Sequence, residues 1–242
     1  MSRTKPLVRR REFVLIAVLV VVAVGLALYL VLRPGTPSGP AGADTVHPAA
    51  PSSAAPSQGP FAGLAHRTAG DPLAIGRPDA PVVLVEFSDY RCPFCAQFSR
   101  STEPELVQRY VDKGKLRIEW RDFPIFGEQS ERAAMAGRAA AAQGRFWQFN
   151  KAVFEAAPQQ GHPDLPKEKL LAFARTAGVP DLAKFEKDMT SREHKDEVRF
   201  DATEGNELGI PSTPAFVING KPLLGAQPLE EFTTMIDAAG GK

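Results

Sequence analysis

The 242-residue chain contains two cysteines, and they stand together as Cys92-Pro93-Phe94-Cys95. Two thiols at this spacing can form a short disulfide, share a metal, carry a haem or exchange electrons. A bridge that closes so short a loop removes little chain entropy, so its worth as a structural staple is low. Zinc would need two further ligands at suitable spacing, and His162 and His194 lie 32 residues apart with no third cysteine in the chain. Haem attachment needs a histidine directly after the second cysteine, where this chain has Ala96. A redox dithiol is what remains. Because C-x-x-C arises often by chance, its flanks decide how much weight it carries.

Upstream, Ala80-Pro81 leads into Val82-Val83-Leu84-Val85-Glu86-Phe87, an apolar, β-branched run that predicts a strand buried on both faces. Downstream, Pro93 suits the first turn of a helix, and Phe94, Ala96, Phe98, Leu106, Val107 and Tyr110 follow at helical spacing. Pro104 should kink or restart that helix. Cys92 is therefore expected at a strand-to-helix turn, where the free amides and dipole of the helix N-terminus favour its thiolate. Arg91 beside it could add to this. Glu86 is the odd residue of the strand, since a carboxylate in an apolar run is expensive to bury and should have a raised pKa. Six residues before Cys92, it is a candidate to exchange a proton with Cys95 during thiol exchange. The plain alternative is a strand-end glutamate that reaches solvent or an ion pair.

The run Glu86-Phe87-Ser88-Asp89-Tyr90-Arg91-Cys92-Pro93-Phe94-Cys95, joined to the later Gly209-Ile210-Pro211-Ser212-Thr213-Pro214-Ala215-Phe216-Val217-Ile218-Asn219-Gly220, resembles the DsbA-like branch of the thioredoxin superfamily across roughly residues 71–240. The resemblance implies a thiol:disulfide oxidoreductase in which Cys92 is the exposed nucleophile and Cys95 the buried resolving cysteine. It implies a cis Pro214 facing the dithiol and Thr213 offering its backbone to an incoming peptide, with Pro93 and Phe94 also on the substrate side. The family's buried acid matches Glu86. Reduced exported proteins would be the substrates, and a quinone-linked membrane oxidase, DsbB-like or VKOR-like, would reoxidise the pair. No organic or metal cofactor is expected, because the Cys92-Cys95 disulfide is itself the electron carrier. The family's best-known strong oxidant has a histidine between its cysteines, whereas this chain has Pro93-Phe94. A reductase or isomerase of the same fold therefore stays open, as does a redox-inert thioredoxin-fold chaperone or metal-binding module.

The remaining pattern must position these residues. Leu116-Arg117-Ile118-Glu119-Trp120-Arg121 alternates as a strand, and after Phe123-Pro124 the periodicity becomes helical. Helices are predicted over about 129–143, 146–156, 167–177, 181–190 and 192–208, three of them stopped by Gly144, Gly178 and Gly209. Residues 215–218, the turn Asn219-Gly220 and residues 222–224 predict a hairpin, and a last helix is expected over 229–239. The fold class is thus α/β, thioredoxin-like, with an inserted all-α domain at about 127–208. Phe146, Trp147, Phe149 and Phe154 are expected in the core of the insert. The charged run 193–197 is expected on a solvated helix face, and neither His162 nor His194 is assigned a catalytic role.

A composition of 43% hydrophobic and 24% charged residues excludes disorder of the whole chain. The formal net charge of +1 averages two different parts. The first 33 residues hold six of the 29 basic and one of the 28 acidic side chains, leaving 23 and 27 in the remainder, a net of −4. Nothing there suggests nucleic acid. Residues 13–32 carry no charge and are dominated by Val, Leu, Ile and Ala, which at ~1.5 Å per residue matches the roughly 30 Å of a bilayer core. They predict one transmembrane anchor. The basic residues 1–12 would be cytoplasmic and the rest extracytoplasmic by the positive-inside rule. A cleaved signal peptide competes, although its apolar run is usually shorter and ends at a small-x-small site. Residues 33–70 are expected as a Pro/Ala/Ser-rich linker with His47 and His66 solvated, and 71–242 as the folded domain.

Overall fold

The computed structural model describes residues 59–241. The expected anchor, the basic N-terminus, His47 and most of the linker lie outside the described residues, among which no helix is long and apolar enough to cross a membrane. The elements in chain order are β1 (Ala74–Ile75), β2 (Val82–Ser88), α1 (Pro93–Ser101), α2 (Glu103–Leu106) running into a π-helical turn (Val107–Val111), and β3 (Leu116–Asp122). Then come α3 (Glu128–Ala141), α4 (Phe146–Glu155), α5 (Lys167–Thr176), α6 (Leu182–Asp188), α7 (Arg192–Glu207), β4 (Ala215–Ile218), β5 (Lys221–Leu224) and α8 (Leu229–Ile236), which ends in a second π-helical turn (Asp237–Gly241).

The five strands are ordered β1-β3-β2-β4-β5. Strand β2 is central because its side chains suit burial on both faces, and all seven of its residues are buried. It runs parallel to β3, with Glu86 opposite Trp120, and antiparallel to β4, with Glu86 opposite Phe216. Val82 and Leu84 pack with Phe98 of α1 and Phe232 and Ile236 of α8. Val83, Val85 and Phe87 pack on the other side with Leu64, Phe123 and Ile210. Each such side chain contributes about 1.5–3 kcal/mol by leaving water. The hairpin turn closes as its residue types require, with Asn219 and Gly220 both at positive φ. The Asn219 side chain accepts from the Val83 amide and donates to the Pro81 carbonyl, fixing the turn to the start of β2.

The packed domain begins earlier than the residue 71 expected from the sequence. Strand β3 alternates in sequence, yet Arg117, Glu119 and Arg121 are all buried, Glu119 completely. The reason lies in residues 64–77, part of which the sequence assigns to the linker. The His66 and Arg67 amides donate to Glu119, Arg117 donates to the Thr68 and Gly76 carbonyls, and Leu64 is buried beside Val83. The packed domain thus includes residues ahead of 71. His66 is exposed, as expected, and its ring lies 3.8 Å from Glu204.

Pro104 stops α1 and starts α2 after the cap at Thr102. Helices α3–α7 form the segment between β3 and β4. Their aromatic core, including Phe146, Phe149 and Phe154, is continuous with Tyr90, Cys92 and Cys95. Trp120 and Phe154 each face Tyr90 with ring centroids 5.3 Å apart. Arg138 of α3 bonds Asp122 at 2.6 Å and also pairs with Asp201 of α7, so a buried ion cluster joins the helices to the end of β3. His194, expected on a solvated face, is buried and bonds Glu197 through Nδ1.

Candidate active site

Strand β2 ends at Ser88, and the turn that follows is organised by Asp89. Its buried carboxylate accepts from the amides of Arg91, Ile125 and Phe126 at 2.8, 2.8 and 3.2 Å, tying the dithiol turn to the loop after β3. The Asp89 carbonyl accepts from the Cys92 amide. Cys92 has extended backbone geometry and caps α1, with Pro93 in the first turn, an arrangement proline favours because its missing N–H is not needed there. Strand β4, paired with β2, brings the preceding loop over this turn. The Thr213–Pro214 peptide is cis, and the Thr213 carbonyl accepts from Cys92 Sγ at 3.2 Å. Cys92, Cys95, Pro93, Phe94 and Thr213 therefore converge, as does Pro214 through its peptide bond with Thr213. Both thiols are free.

The two sulfurs sit in different electrostatic settings. The Cys95 thiol, the Thr213 hydroxyl and the amides of Cys95 and Phe94 stabilise the Cys92 thiolate and bring its pKa down to about 6, against the opposing effect of burial. The Thr213 carbonyl favours the protonated thiol instead, but the donors outnumber it. The Cys95 amide is 3.4 Å from Cys92 Sγ, and the Thr213 hydroxyl has no other partner. Burial pushes the Cys95 thiol well up, and its role as donor to Cys92 pushes it further. A thiol ready to ionise thus stands in front of one that holds its proton.

Glu86 is 2% exposed and has no hydrogen-bond partner for Oε1. Burial raises its pKa well above the carboxylate range, with smaller contributions from the charges of Glu103 and Cys92. The Ser88 hydroxyl, on the same face of β2, opposes the rise at both Glu86 and Cys95. Glu103, itself raised to about 7 by burial, lines a separate cleft of about 750 Å³ with Ser99, Trp147 and Asn150. Ser88, Asp89 and Glu103 went unassigned in the sequence. The signal for Ser88 was its place two residues from Glu86 in the strand; Asp89 and Glu103 carried none, since their partners are remote or set by packing.

The front of the dithiol borders a cleft of about 820 Å³ lined by Cys92, Phe94, Ile125, Phe126, His162 and Thr213, among others. Phe94 is 59% exposed and Ile125 42%, giving the opening an apolar lip. Cys92 itself is only 1% exposed, against the expectation of an exposed nucleophile, because its own helix and the Thr213 carbonyl cover most of the sulfur. Arg91 also departs from expectation. Its guanidinium donates to the Pro163 and Phe126 carbonyls, so its hydrogen bonds go to the cleft's backbone rather than to the Cys92 sulfur. His162, given no role in the sequence, stands in the cleft. Among the described residues no group of three or more His, Cys, Asp or Glu side chains is placed to hold a metal ion.

Residues 68–238 match the thioredoxin family. A probable disulfide bond formation protein D of Bacillus anthracis is 32% identical over 151 residues, covering 61% of this chain and 69% of that protein. Alpha-DsbA1 of Wolbachia pipientis superposes with a TM-score of 0.62 at 27% identity, over 69% of this chain and 89% of that one. A Na(+)/H(+) antiporter NhaA 1 of Mycobacterium sp. (strain KMS) is 35% identical over 150 residues, which cover 60% of this chain and only 23% of the antiporter. The chain belongs to the thioredoxin family, in its DsbA-like branch.

Proposed function

We propose that this chain is a thiol:disulfide oxidoreductase that introduces disulfides into exported proteins, held at the outer face of the cell membrane by residues 13–32. The observation that carries the reading is the asymmetric dithiol: Cys92, pulled down to about 6, opens on a cleft, and Cys95, pushed well up, lies behind it. The names of the relatives from Bacillus anthracis and Wolbachia pipientis point the same way.

In this mechanism the pair begins as the Cys92–Cys95 disulfide. A substrate thiolate attacks Cys92 Sγ, the S–S bond breaks, and Cys95 leaves as a thiolate that takes a proton, with Glu86 as donor. The mixed disulfide lies in the cleft, where Thr213 beside Pro214 offers backbone to the peptide and Pro93 and Phe94 contact it. A second substrate thiolate attacks the substrate sulfur, and Cys92 departs readily because its thiolate is stabilised. The substrate has lost two electrons and the dithiol has gained them. A quinone-linked membrane oxidase removes them again, and no other cofactor takes part.

The reading is tested by Cys95→Ser in the full-length protein. Mixed disulfides between Cys92 and exported proteins should accumulate. If none form and the purified wild-type protein carries stoichiometric metal, a binding module replaces the enzyme. Reagents that react with thiols but do not cross membranes should label reduced Cys92 in intact cells, and protection of Cys92 would contradict the external placement.

A further inference from the structure

His162 lies in the segment between α4 and α5, 70 residues from the dithiol in sequence, yet it shares the cleft with Cys92, Phe94 and Thr213. It is held there on two sides. Its ring lies against Phe126 with centroids 4.0 Å apart, and Nδ1 is 2.9 Å from the Arg91 carbonyl oxygen. That carbonyl can only accept, so Nδ1 carries a hydrogen and the neutral ring has its lone pair on Nε2. The loop is fixed as well, because the Arg91 guanidinium donates to the Pro163 and Phe126 carbonyls on either side of the ring contact. Backbone thus orients one nitrogen, and the other is left as a base in an exposed position beside the nucleophile's cleft. The arrangement is that of an oriented histidine next to a sulfur reaction.

We propose that His162 is the base that takes the proton from the incoming substrate thiol. The inference rests on the oxidoreductase reading above. The substrate S–H transfers its proton to Nε2, and the resulting thiolate attacks Cys92 Sγ. A bond forms between the substrate sulfur and Cys92, and the Cys92–Cys95 bond breaks with its electron pair passing to Cys95. The imidazolium then returns its proton to water. The step supplies what the dithiol alone lacks. Cys92 is the sulfur attacked, so its own acidity does not help a substrate cysteine ionise. An ordinary cysteine, with a pKa near 8.5, is only about 3% thiolate at pH 7, and disulfide exchange needs the thiolate. The largest gain open to such a base is therefore roughly thirtyfold at pH 7, falling away near pH 9 as the substrate ionises unaided. Of the residues that line the cleft, Cys92 alone is titratable besides His162; the Arg91 guanidinium is taken up by the Pro163 and Phe126 carbonyls, and the carboxylate of Asp164, two residues on, accepts from Gln129. The facing residues 211–213 and 225–227 of the cleft wall bring no charged group.

The test is stopped-flow reduction of the oxidised full-length protein between pH 5.5 and 9.5 by two probes, a single-cysteine peptide and an aromatic thiol already ionised at pH 7. His162→Gln should slow the peptide by ten- to thirtyfold at pH 7, rejoin the wild type near pH 9, and leave the aromatic thiol unchanged throughout. His162→Phe, which keeps an aromatic ring against Phe126, should behave the same way. An unaltered peptide profile would overturn the proposal, as would an equal loss with both probes at every pH, which marks a residue that only shapes the cleft. Failure of the wild-type disulfide to react with either thiol would instead remove the oxidoreductase reading on which the proposal stands.

Discussion

The chemistry of the site comes from a division of labour between two sulfurs three residues apart. With Cys92 at about 6, the pair at pH 7 has about ten parts thiolate to one of thiol at this sulfur. That favours the reduced form roughly elevenfold, or about 30 mV of oxidising power. The thiolate absorbance near 240 nm should titrate with a midpoint of about 6 in the reduced protein, and Thr213→Val should move it upward by removing the hydroxyl donor. Stability follows the same sign. The folded protein releases this proton at a lower pH than the unfolded chain, so the contribution is complete above the ordinary thiol pKa and is lost as pH falls through about 6. Denaturation of reduced wild type compared with Cys92→Ala across pH 5–9 should show this slope. Glu86 behaves oppositely. Its folded pKa is raised, so it keeps a proton that the unfolded chain releases, and its contribution to stability declines as pH climbs above the usual carboxylate range. Glu86→Gln should be more stable than wild type in mildly alkaline buffer, while the step that protonates Cys95 slows. Faster exchange in that variant would exclude Glu86 as proton donor.

At the scale of elements, a strand and a helix deliver the dithiol, and a carboxylate holds the wall opposite. Asp89 accepts three amides from two segments, so Asp89→Ala leaves three partly buried donors without their acceptor, at up to about 1–3 kcal/mol each. Chemical denaturation should report a loss of several kcal/mol, with slower exchange as residues 123–127 shift. Strand β2, the helix cap at Cys92, the restart at Pro104 and the hairpin turn could be read from the sequence because each is local: an apolar run, a proline in the first turn, an Asn-Gly pair. The ends of α3–α7 fall within one or two residues of the expected bounds, since glycines and caps set them nearby in the chain. What sequence could not give was the company of charged residues. The alternation of β3 marked a strand, and only residues 64–77, folded over it, make Arg117, Glu119 and Arg121 a buried network. Arg91 was misplaced for a related reason, since its partners, the Pro163 and Phe126 carbonyls, lie 72 and 35 residues away. His162 was passed over because a histidine in a polar loop carries no local pattern, and its place in the cleft depends on how α4 and α5 dock.

At the scale of the molecule, the helices between β3 and β4 share one aromatic core with the dithiol turn, so cleft and insert form a single packed structure. The N-terminal boundary is also a property of the whole. Leu64 is buried against β2, and the His66 and Arg67 amides satisfy Glu119. Leu64→Ala should cost about 2–5 kcal/mol, and deletion of residues 59–70 should cost more, since it uncovers a carboxylate held between two guanidiniums. Unchanged stability in either variant would return this segment to the linker. The central claim, that the dithiol oxidises its substrates, is tested most directly by the redox equilibrium of full-length protein with glutathione at pH 7. A potential above about −200 mV, on the oxidant side of the thioredoxin-fold range, is the predicted result. A value at or below about −270 mV, where thioredoxin acts as a reductant, would contradict it.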